Sequence, residues 1–326
     1  MRKAILLYNP LSGNRHERRI ADVEIAANVL RGGGIETVMT ATRSPGEAAE
    51  QAREAIANGC DVVFACGGDG TIHDVLQGVV GTDAVLGVIP LGTANALAHD
   101  LKIPRSPSGA AHAALAGEIR RFSVGRVEFQ DFSGNRGSRY FTVAAGVGVD
   151  AHLFQSLNPT FKKRHGMAAY YVKAWHLWAT YPMPFFSVAW KDAAGQEREE
   201  SATELLAVRI ANFGGVLRSL APGASLERKD MRLVVCKTAS RTAYLRYVFQ
   251  GLYRSNRNVR GVELAHSEEL SCFQPVYPNS SLPQEHKIYI EADGELLGTL
   301  PATITMVPEA FSVLVPSGWK SCGRSA

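Results

Sequence analysis

The chain contains few cysteines, and none is spaced as a crosslink or a paired metal ligand would be. Five occur among 326 residues, without a C-x-x-C pair. An odd number without paired spacing argues against a disulfide framework and against a zinc site. We therefore expect the protein to work in a reducing cytoplasm.

Long hydrophobic runs are also missing. The best candidate for a membrane span, residues 166–186, contains Lys173, His176 and two prolines, whereas a spanning helix needs about 20 consecutive apolar residues. The apolar run at residues 4–8 is too short for the core of a signal peptide. We expect a cytoplasmic protein that is either soluble or peripheral at the inner membrane surface, without a spanning segment.

Neither sign of charge dominates the composition. Hydrophobic residues make up 46% and charged residues 20%, with a net charge of +4. This balance is typical of a compact globular protein and excludes a long disordered tail. Residues 121–326 carry the positive excess, with 24 Lys and Arg against 18 Asp and Glu. Such an excess favours an anionic partner, lipid or nucleic acid, without choosing between them.

Three common catalytic signatures do not occur: G-x-x-x-x-G-K-[ST], G-x-S-x-G and H-E-x-x-H. Without them the P-loop, α/β-hydrolase and zincin classes lack their central residues. Any phosphate-binding site in this chain must therefore use another kind of loop.

What is present is a change of pattern near residue 120. Apolar runs at 3–8, 35–40, 61–65 and 85–89 alternate with helical stretches, which predicts a parallel sheet covered by helices. One of these helices is predicted to start after Ser44, with Pro45 in its first position and Glu47 in its first turn, and to run to Asn58-Gly59.

The later sequence consists of short alternating runs separated by Gly, Asn, Asp and Pro, which is typical of antiparallel strands. We predict an α/β plus β protein: a doubly wound parallel-sheet nucleotide domain over residues 1–120 and a mainly antiparallel β-sandwich over 121–307. Residues 308–326 are expected to return to the first domain.

A glycine-rich loop follows the third predicted strand, in the sequence Cys66-Gly67-Gly68-Asp69-Gly70-Thr71-Ile72. Glycines allow close backbone approach to phosphate, and a helix N-terminus supplies free N–H groups and partial positive charge. An aspartate would repel phosphate, so we expect Asp69 to hold Mg²⁺, directly or through water, or to orient the nucleotide. The alternative is a plain glycine turn in which Asp69 caps the helix.

Two further polar loops are expected at the same edge of the sheet. One follows the fourth strand and contains Gly92, Thr93 and Asn95; the other follows the first strand and begins at Asn9. Because ligands bind beyond the carboxyl ends of parallel strands, we predict one shared nucleotide cleft.

A carboxylate in the second part of the chain is a candidate general base. Asp293-Gly294 follows a predicted strand, and Asp-Gly on its own is also a common hairpin turn. If the strand end faces the cleft, Asp293 is placed to accept a proton from a substrate hydroxyl.

Taken together, these motifs resemble the catalytic domain of the diacylglycerol kinase family, in particular its soluble bacterial lipid kinases, and more distantly the sphingosine kinases. The resemblance covers nearly the whole chain and includes Pro90-Leu91-Gly92-Thr93-Ala94-Asn95, Asn212, Ala221-Pro222 and Asp293-Gly294-Glu295. The Gly-Gly-Asp-Gly-Thr core alone also resembles NAD kinases and phosphofructokinases.

The resemblance implies transfer of the γ-phosphoryl group of ATP, with Mg²⁺, to a lipid hydroxyl at a membrane surface, and no nucleic-acid partner. It implies that Thr42, residues 67–72 and Thr93 contact ATP, and we add Asn9, Cys66, Gly92 and Asn95 as neighbours of these loops. It further implies that Asp293 accepts the hydroxyl proton and that Glu295 helps to organise nucleotide or metal.

One segment departs from the family pattern. Many bacterial relatives have a stretch like Leu-Asp-Asp-Gly-x-Leu-Asp that binds a structural Mg²⁺, and the matching residues here are Leu226-Glu227-Arg228-Lys229-Asp230-Met231-Arg232. Cationic side chains cannot serve as ligands of a hard cation. We predict that this second metal site is absent.

Other features leave alternatives open. The basic residues 162–165 and the aromatic residues up to Tyr181 suit either membrane docking or an ordinary packed helix. His73 is expected to be a helix-face residue. A kinase for a soluble acceptor such as NAD, and a non-catalytic nucleotide-binding regulator, remain as alternative functions.

Overall fold

The computed structural model describes residues 1–10, 18–44, 46–156, 175–176, 178–192, 194–213, 220–252, 259–274 and 287–321. A parallel sheet with strand order β2-β1-β3-β4 forms its first part. The strands are β1 (Lys3–Tyr8), β2 (Glu36–Ala41), β3 (Val62–Gly67) and β4 (Val85–Pro90). Strands β3 and β4 are buried along their whole length, as expected for a parallel sheet with helices on both faces.

Five helices accompany this sheet: α1 (Arg19–Gly32), α2 (Ala48–Ala57), α3 (Asp69–Val79), α4 (Ala96–Asp100) and α5 (Pro107–Leu115). Helix α5 shows how local sequence sets a helix start. Ser106 precedes it, its Oγ accepts a hydrogen bond from the Gly109 N–H at 3.2 Å, and Pro107 occupies the first position. This is a favourable N-terminal cap.

The predicted start of α2 is wrong. The helix begins at Ala48, three residues after Pro45, and Glu47 precedes its first turn. The reason lies at Gly46, whose φ of +85° places it in the left-handed region and interrupts the right-handed helix. The loop that this glycine makes possible contributes to the site described below.

The second part of the protein is built from antiparallel strands. They are β5 (Glu118–Gln130), β6 (Arg136–Phe141), β7 (Ala144–Gly148), β8 (Phe186–Lys191), β9 (Glu197–Ala202), β10 (Glu204–Val208), β11 (Met231–Cys236), β12 (Val262–Ser267), β13 (Glu269–Phe273), β14 (Tyr289–Ala292) and β15 (Glu295–Val315). Two helices, α6 (Val149–Ser156) and α7 (Arg241–Leu252), belong to this part. The predicted fold class is confirmed.

Strand β15 links the two parts. It pairs antiparallel with β5 from Thr299 to Val315, and near its end Ser312 and Val313 pair in parallel with Val85 and Leu86 of β4. Hydrogen bonding is therefore continuous from the sandwich into the parallel sheet. The two parts consequently meet along a strand rather than through a linker.

Helix α4 provides a second link between the two parts. The Asp100 Oδ1 atom accepts hydrogen bonds from the N–H groups of Ala211 and Asn212, each at 3.0 Å, and the Trp319 Nε1 donates to the Asp100 carbonyl at 2.9 Å. Burial raises the pKa of Asp100 to about 6. These contacts give Asn212, a residue of the family-like pattern, a role in joining the two parts.

None of the helices among the described residues is long and apolar enough to cross a bilayer. Most of the segment predicted to dock or pack lies outside the described residues, namely residues 162–174 and 177. Within its remainder, Trp175 is 57% exposed, whereas Tyr181 is buried and stacks on His152 with ring centroids 3.9 Å apart.

Candidate active site

A cavity of about 590 Å³ lies at the carboxyl ends of the parallel strands. Its walls come from both parts of the protein. The first part contributes Asn9, Thr42, Ser44, Gly46, Ala48, Gly68, Gly70, Thr71, His73 and Asp74; the second contributes Phe129, Asp131, Gly137, Arg139, Glu295, Leu296 and Leu297. This position agrees with the general rule for ligand sites in open α/β sheets.

The glycine-rich loop directs the start of α3 toward this cavity. Gly68 immediately precedes the helix, and Gly68, Gly70 and Thr71 line the cavity. The first N–H groups of a helix have no partners within it and carry a partial positive charge. The arrangement is suited to binding phosphate oxygens.

Asp69 points to the neighbouring loop. Its two carboxylate oxygens accept hydrogen bonds from the Asn95 N–H at 2.9 Å and the Ala96 N–H at 2.7 Å, so that it caps the N-terminus of α4. Burial raises the pKa of Asp69, the two amides oppose this, and the Asp293 charge adds to the rise. The aspartate inside the phosphate-type loop therefore holds a second helix in place.

The loop after β4 packs directly against the glycine-rich loop. A Cβ placed on Gly92 would lie 2.4 Å from Gly68 Cα. Asn95 has a φ of +53°, and its side chain both accepts from the Gly92 N–H and donates to the Gly92 carbonyl. These contacts fix the backbone of both loops, while Thr93 is exposed at their surface.

Asp293 occupies the hairpin turn between β14 and β15, where it and Gly294 both have positive φ. Its Oδ1 accepts from the N–H groups of Val143 and Ala144 at 2.8 and 3.1 Å. Its Oδ2 accepts from the Thr142 N–H at 2.9 Å and from the Thr142 hydroxyl at 3.3 Å. The Asp-Gly pair is thus a hairpin turn whose carboxylate is held by three backbone amides.

The two parts of the chain meet at this carboxylate. His73 of α3 places its Nδ1 3.6 Å from the Asp293 Oδ2, and their side chains are only 2% and 3% exposed. Neither ring nitrogen of His73 has a hydrogen-bond partner among the described residues. A buried imidazole with unused nitrogens costs free energy, which is typical of a site that meets a ligand.

Glu295 extends this cluster toward the cavity. A Cβ on Gly70 would lie 2.7 Å from the Glu295 Oε1, so the carboxylate lies against the start of α3. Burial raises the pKa of Glu295, the His73 ring lowers it and the charge of Asp74 raises it further. Several carboxyl groups therefore surround the inner end of the cavity.

Comparisons with known proteins agree with this geometry. Residues 3–127 match the model of the diacylglycerol kinase catalytic domain, and residues 142–315 match that of the YegS C-terminal NAD kinase β-sandwich-like domain. A diacylglycerol kinase of Mycobacterium tuberculosis strain H37Rv is 30% identical to this chain, and the alignment covers 96% of this chain and 95% of the M. tuberculosis protein. The chain belongs to the diacylglycerol kinase family.

Solved structures show the same fold for members of this family. A diacylglycerol kinase from Bacillus anthracis strain Sterne covers 97% of each chain, with a TM-score of 0.68 and 17% identity. Yeast NADH kinase complexed with NADH covers 97% of this chain and 84% of its own, with a TM-score of 0.51 and 10% identity. Family membership confirms the resemblance and the prediction of a kinase.

The structure divides most of the predicted site residues of this kinase family member into three groups. Asn9, Thr42, Gly68, Gly70, Thr71 and Glu295 line the cavity. Cys66 and Ile72 are buried in the hydrophobic core, and Gly67 packs against Thr71 behind the loop. Gly92, Thr93 and Asn95 shape the adjoining loop. The contact of any of these residues with ATP stays a prediction.

Sequence reasoning missed the contribution of the β5–β6 hairpin. Asp131 and Arg139 reach the cavity from this hairpin, and Arg139 is the one arginine or lysine among its described lining residues. The alternating runs predicted antiparallel strands in this part of the chain, but they carry no information on which loop of the first part a hairpin will cover. Only the long pairing of β5 with β15 brings Arg139 to the cavity.

Proposed function

We propose that the protein is an ATP-dependent lipid kinase that transfers the γ-phosphoryl group to a hydroxyl of a diacylglycerol-like, sphingoid or related lipid, with Asp293 as the general base. The observation that carries the proposal is that the α3 N-terminus and Arg139 line one cavity, and that the Asp293 carboxylate lies 3.6 Å from His73 in the wall of that cavity. Phosphoryl transfer is catalysed mainly by positioning and by neutralising charge, and these elements serve both purposes.

The residues around the cavity suit Mg²⁺ that arrives with ATP. Magnesium usually takes one or two carboxylates together with phosphate oxygens and waters. Glu295 and Asp74 line the cavity, and the charge of Asp74 raises the pKa of Glu295, so a divalent cation there would relieve repulsion. When bound, the ion would neutralise charge on the transferring group. Asp69 stays a predicted ligand, through the lone pairs that its two amides leave unused.

Asp293 has the contacts required of a positioned proton acceptor. Three backbone amides donate hydrogen bonds to its carboxylate and fix its orientation. The longest of its hydrogen bonds is the one from the Thr142 hydroxyl, at 3.3 Å. We propose that the lipid hydroxyl takes the place of this hydroxyl on Oδ2. The carboxylate then receives the proton as the bond between the lipid oxygen and the γ-phosphorus forms and the bond from that phosphorus to the bridging oxygen breaks, releasing ADP.

A kinase for a soluble acceptor is the second candidate function. It is favoured by the likeness of the second domain to the NAD kinase β-sandwich. It shares the phosphate-binding loops and predicts no dependence on a lipid surface. Lipid kinase activity is better supported, because the curated relatives that align over nearly the whole chain are named diacylglycerol kinase.

The test is incubation of the protein with Mg²⁺ and γ-labelled ATP together with a panel of acceptors, followed by separation of the products. The panel contains diacylglycerol, phosphatidylglycerol, a sphingoid base, a ceramide and a polyprenol in mixed micelles, with NAD as the soluble acceptor. Label in one lipid is the expected result. Label in NAD alone would favour the second candidate, and label in none of them would contradict both.

Arg139→Gln is expected to raise the KM for ATP about tenfold. A charge-assisted hydrogen bond to phosphate contributes roughly 1.5–3 kcal/mol, and solvent screening at this exposed position reduces that contribution. The Arg139 side chain lines the cavity. Arg136→Gln, on the same strand but away from the cavity lining, is the matched control. Steady-state kinetics with ATP as the varied substrate measure both. Equal KM values for the two variants would remove Arg139 from the phosphate site.

A further inference from the structure

One arginine outside the active site is enclosed by backbone oxygens. Arg209 follows strand β10, and its side chain is fully buried. Its Nη1 donates to the carbonyls of Arg228 and Asp230 at 2.9 and 2.6 Å. Its Nη2 donates to the carbonyls of Leu226 and Ser123 at 3.0 and 3.2 Å. Four main-chain oxygens, one from strand β5 and three from residues 226–230, therefore surround one guanidinium.

Such convergence is the arrangement that a bound cation requires. Backbone carbonyls are common ligands of hard cations. Several buried carbonyl oxygens placed together without a positive charge or a donor would repel one another and would stay without hydrogen bonds. A guanidinium satisfies them because it presents several N–H donors in a fixed plane. Burial lowers the pKa of Arg209 to about 10, so it carries its charge at neutral pH.

The same segment does not fit a divalent ion. Arg228 makes a two-point ion pair with Asp230 at 2.6 and 2.7 Å, and the His266 Nδ1 lies 3.3 Å from the same carboxylate. Glu227 is paired with Arg120 at 3.4 Å. Both carboxylates of the segment are thus engaged with cationic or imidazole groups. Within the described ranges, no cluster of three or more His, Cys, Asp or Glu residues forms a metal site.

We infer that Arg209 is the built-in cation of the segment between β10 and β11: its guanidinium satisfies the four carbonyls, and the residues of this segment do not fit the structural Mg²⁺ that the family resemblance implies. The fold of this protein then requires no divalent ion other than one bound with ATP. The inference concerns the fold and is independent of which acceptor the enzyme phosphorylates.

Arg209 is also connected to the active site through covalent neighbours. Two residues beyond it, the Ala211 N–H donates to Asp100 at the end of α4. The start of α4 is capped by Asp69 of the glycine-rich loop. Arg209 is therefore a positioning residue for the ATP loops, and its loss is expected to raise the Kd for ATP along with its effect on stability.

The first experiment follows thermal unfolding of the unmodified protein without nucleotide, in excess EDTA and in excess Mg²⁺. We expect the two Tm values to agree within about 1 °C, because a ligand that does not bind the native state leaves Tm unchanged. A Tm that falls in EDTA, or a stoichiometric Mg²⁺ site in calorimetric titration, would overturn the inference.

The second experiment compares Arg209→Met with Arg228→Gln. Arg209→Met leaves four buried carbonyls without a donor and is expected to lower Tm by roughly 10 °C. Arg228→Gln removes an equal charge from the same segment at a partly exposed position and is expected to lower Tm by no more than about 3 °C. Equal losses for the two would overturn the inference. If Arg209→Met is not obtained folded, Arg209→Lys keeps the charge with fewer donors, and we expect an intermediate loss.

The third experiment restores the acidic pattern by combining Arg209→Gly with Glu227→Asp, Arg228→Asp, Lys229→Gly and Arg232→Asp. We expect this variant to gain a rise in Tm of several degrees when Mg²⁺ is added. A folded variant whose Tm does not respond to Mg²⁺ would contradict the exchange of guanidinium for metal. If this variant does not fold, the inference is tested by the Tm values in EDTA and in Mg²⁺ and by the Tm of Arg209→Lys.

Discussion

Asp293→Asn is expected to lower kcat by about two to three orders of magnitude, which is the usual contribution of a positioned general base. The substitution keeps the shape of the side chain but removes the acceptor for the hydroxyl proton. The Kd for ATP is expected to stay within about threefold of its original value, since Asp293 is not among the described residues that line the cavity. Single-turnover kinetics and equilibrium ATP binding measure the two quantities separately.

A structural role of Asp293 gives a different result. The carboxylate also organises residues 142–144 through three backbone amides, so an amide group there affects the turn as well as the chemistry. Asp192→Asn is the matched control, because Asp192 accepts from the Ala194 and Gln196 N–H groups in a hairpin that does not line the cavity. A loss of kcat in Asp293→Asn that is no larger than its losses of ATP affinity and Tm account for would reject the assignment of Asp293 as the general base.

Gly92→Ala is expected to weaken ATP binding by about two orders of magnitude, the scale of effect produced by a shift of roughly 1 Å in a positioned group. The added Cβ would lie 2.4 Å from Gly68 Cα and 2.7 Å from the Asn95 Oδ1. A backbone atom cannot move aside by changing rotamer, so one of the two loops must shift. The shift moves Gly68, which lines the cavity at the start of α3.

The control for this prediction is Gly32→Ala. Gly32 ends helix α1 and does not have a positive φ, and a Cβ added to it would meet no atom within 4 Å. Alanine there is expected to be neutral or slightly stabilising, as for glycine replaced in a helix. Calorimetric titration with a non-hydrolysable ATP analogue compares the two variants. An unchanged Kd for Gly92→Ala would show that the loop contact does not control the nucleotide site.

The glycine-rich loop shows how far sequence reasoning reached. The sequence Gly67-Gly68-Asp69-Gly70-Thr71 after an apolar strand predicted a loop, a helix start and an anion site, and α3 begins at Asp69 beside the cavity. What the sequence could not show is the partner of the Asp69 carboxylate, which lies 26 and 27 residues further along the chain at Asn95 and Ala96.

Arg209 shows the opposite case. In the sequence it is a basic residue at the end of an apolar strand, and nothing in the spacing of Arg209, Ser123 and Leu226 predicts that they meet. The departure of residues 226–232 from the acidic pattern was visible and predicted the loss of a metal site. That loss stays a prediction, and the enclosure of Arg209 by carbonyls became visible only where two distant segments pack together.

The amino-acid sequence determined by itself the two kinds of sheet, the loops at the strand ends and the family, because these depend on residue order over a few positions. The tertiary structure alone decided that Arg139 reaches the cavity, that Asp293 is held by three amides beside His73, and that Arg209 is enclosed by carbonyls. Each of these contacts forms with backbone N–H or carbonyl groups, or with surfaces, that distant strands leave unpaired after the sheets have formed. Local periodicity in the sequence does not encode which strands pair, so it could not predict them.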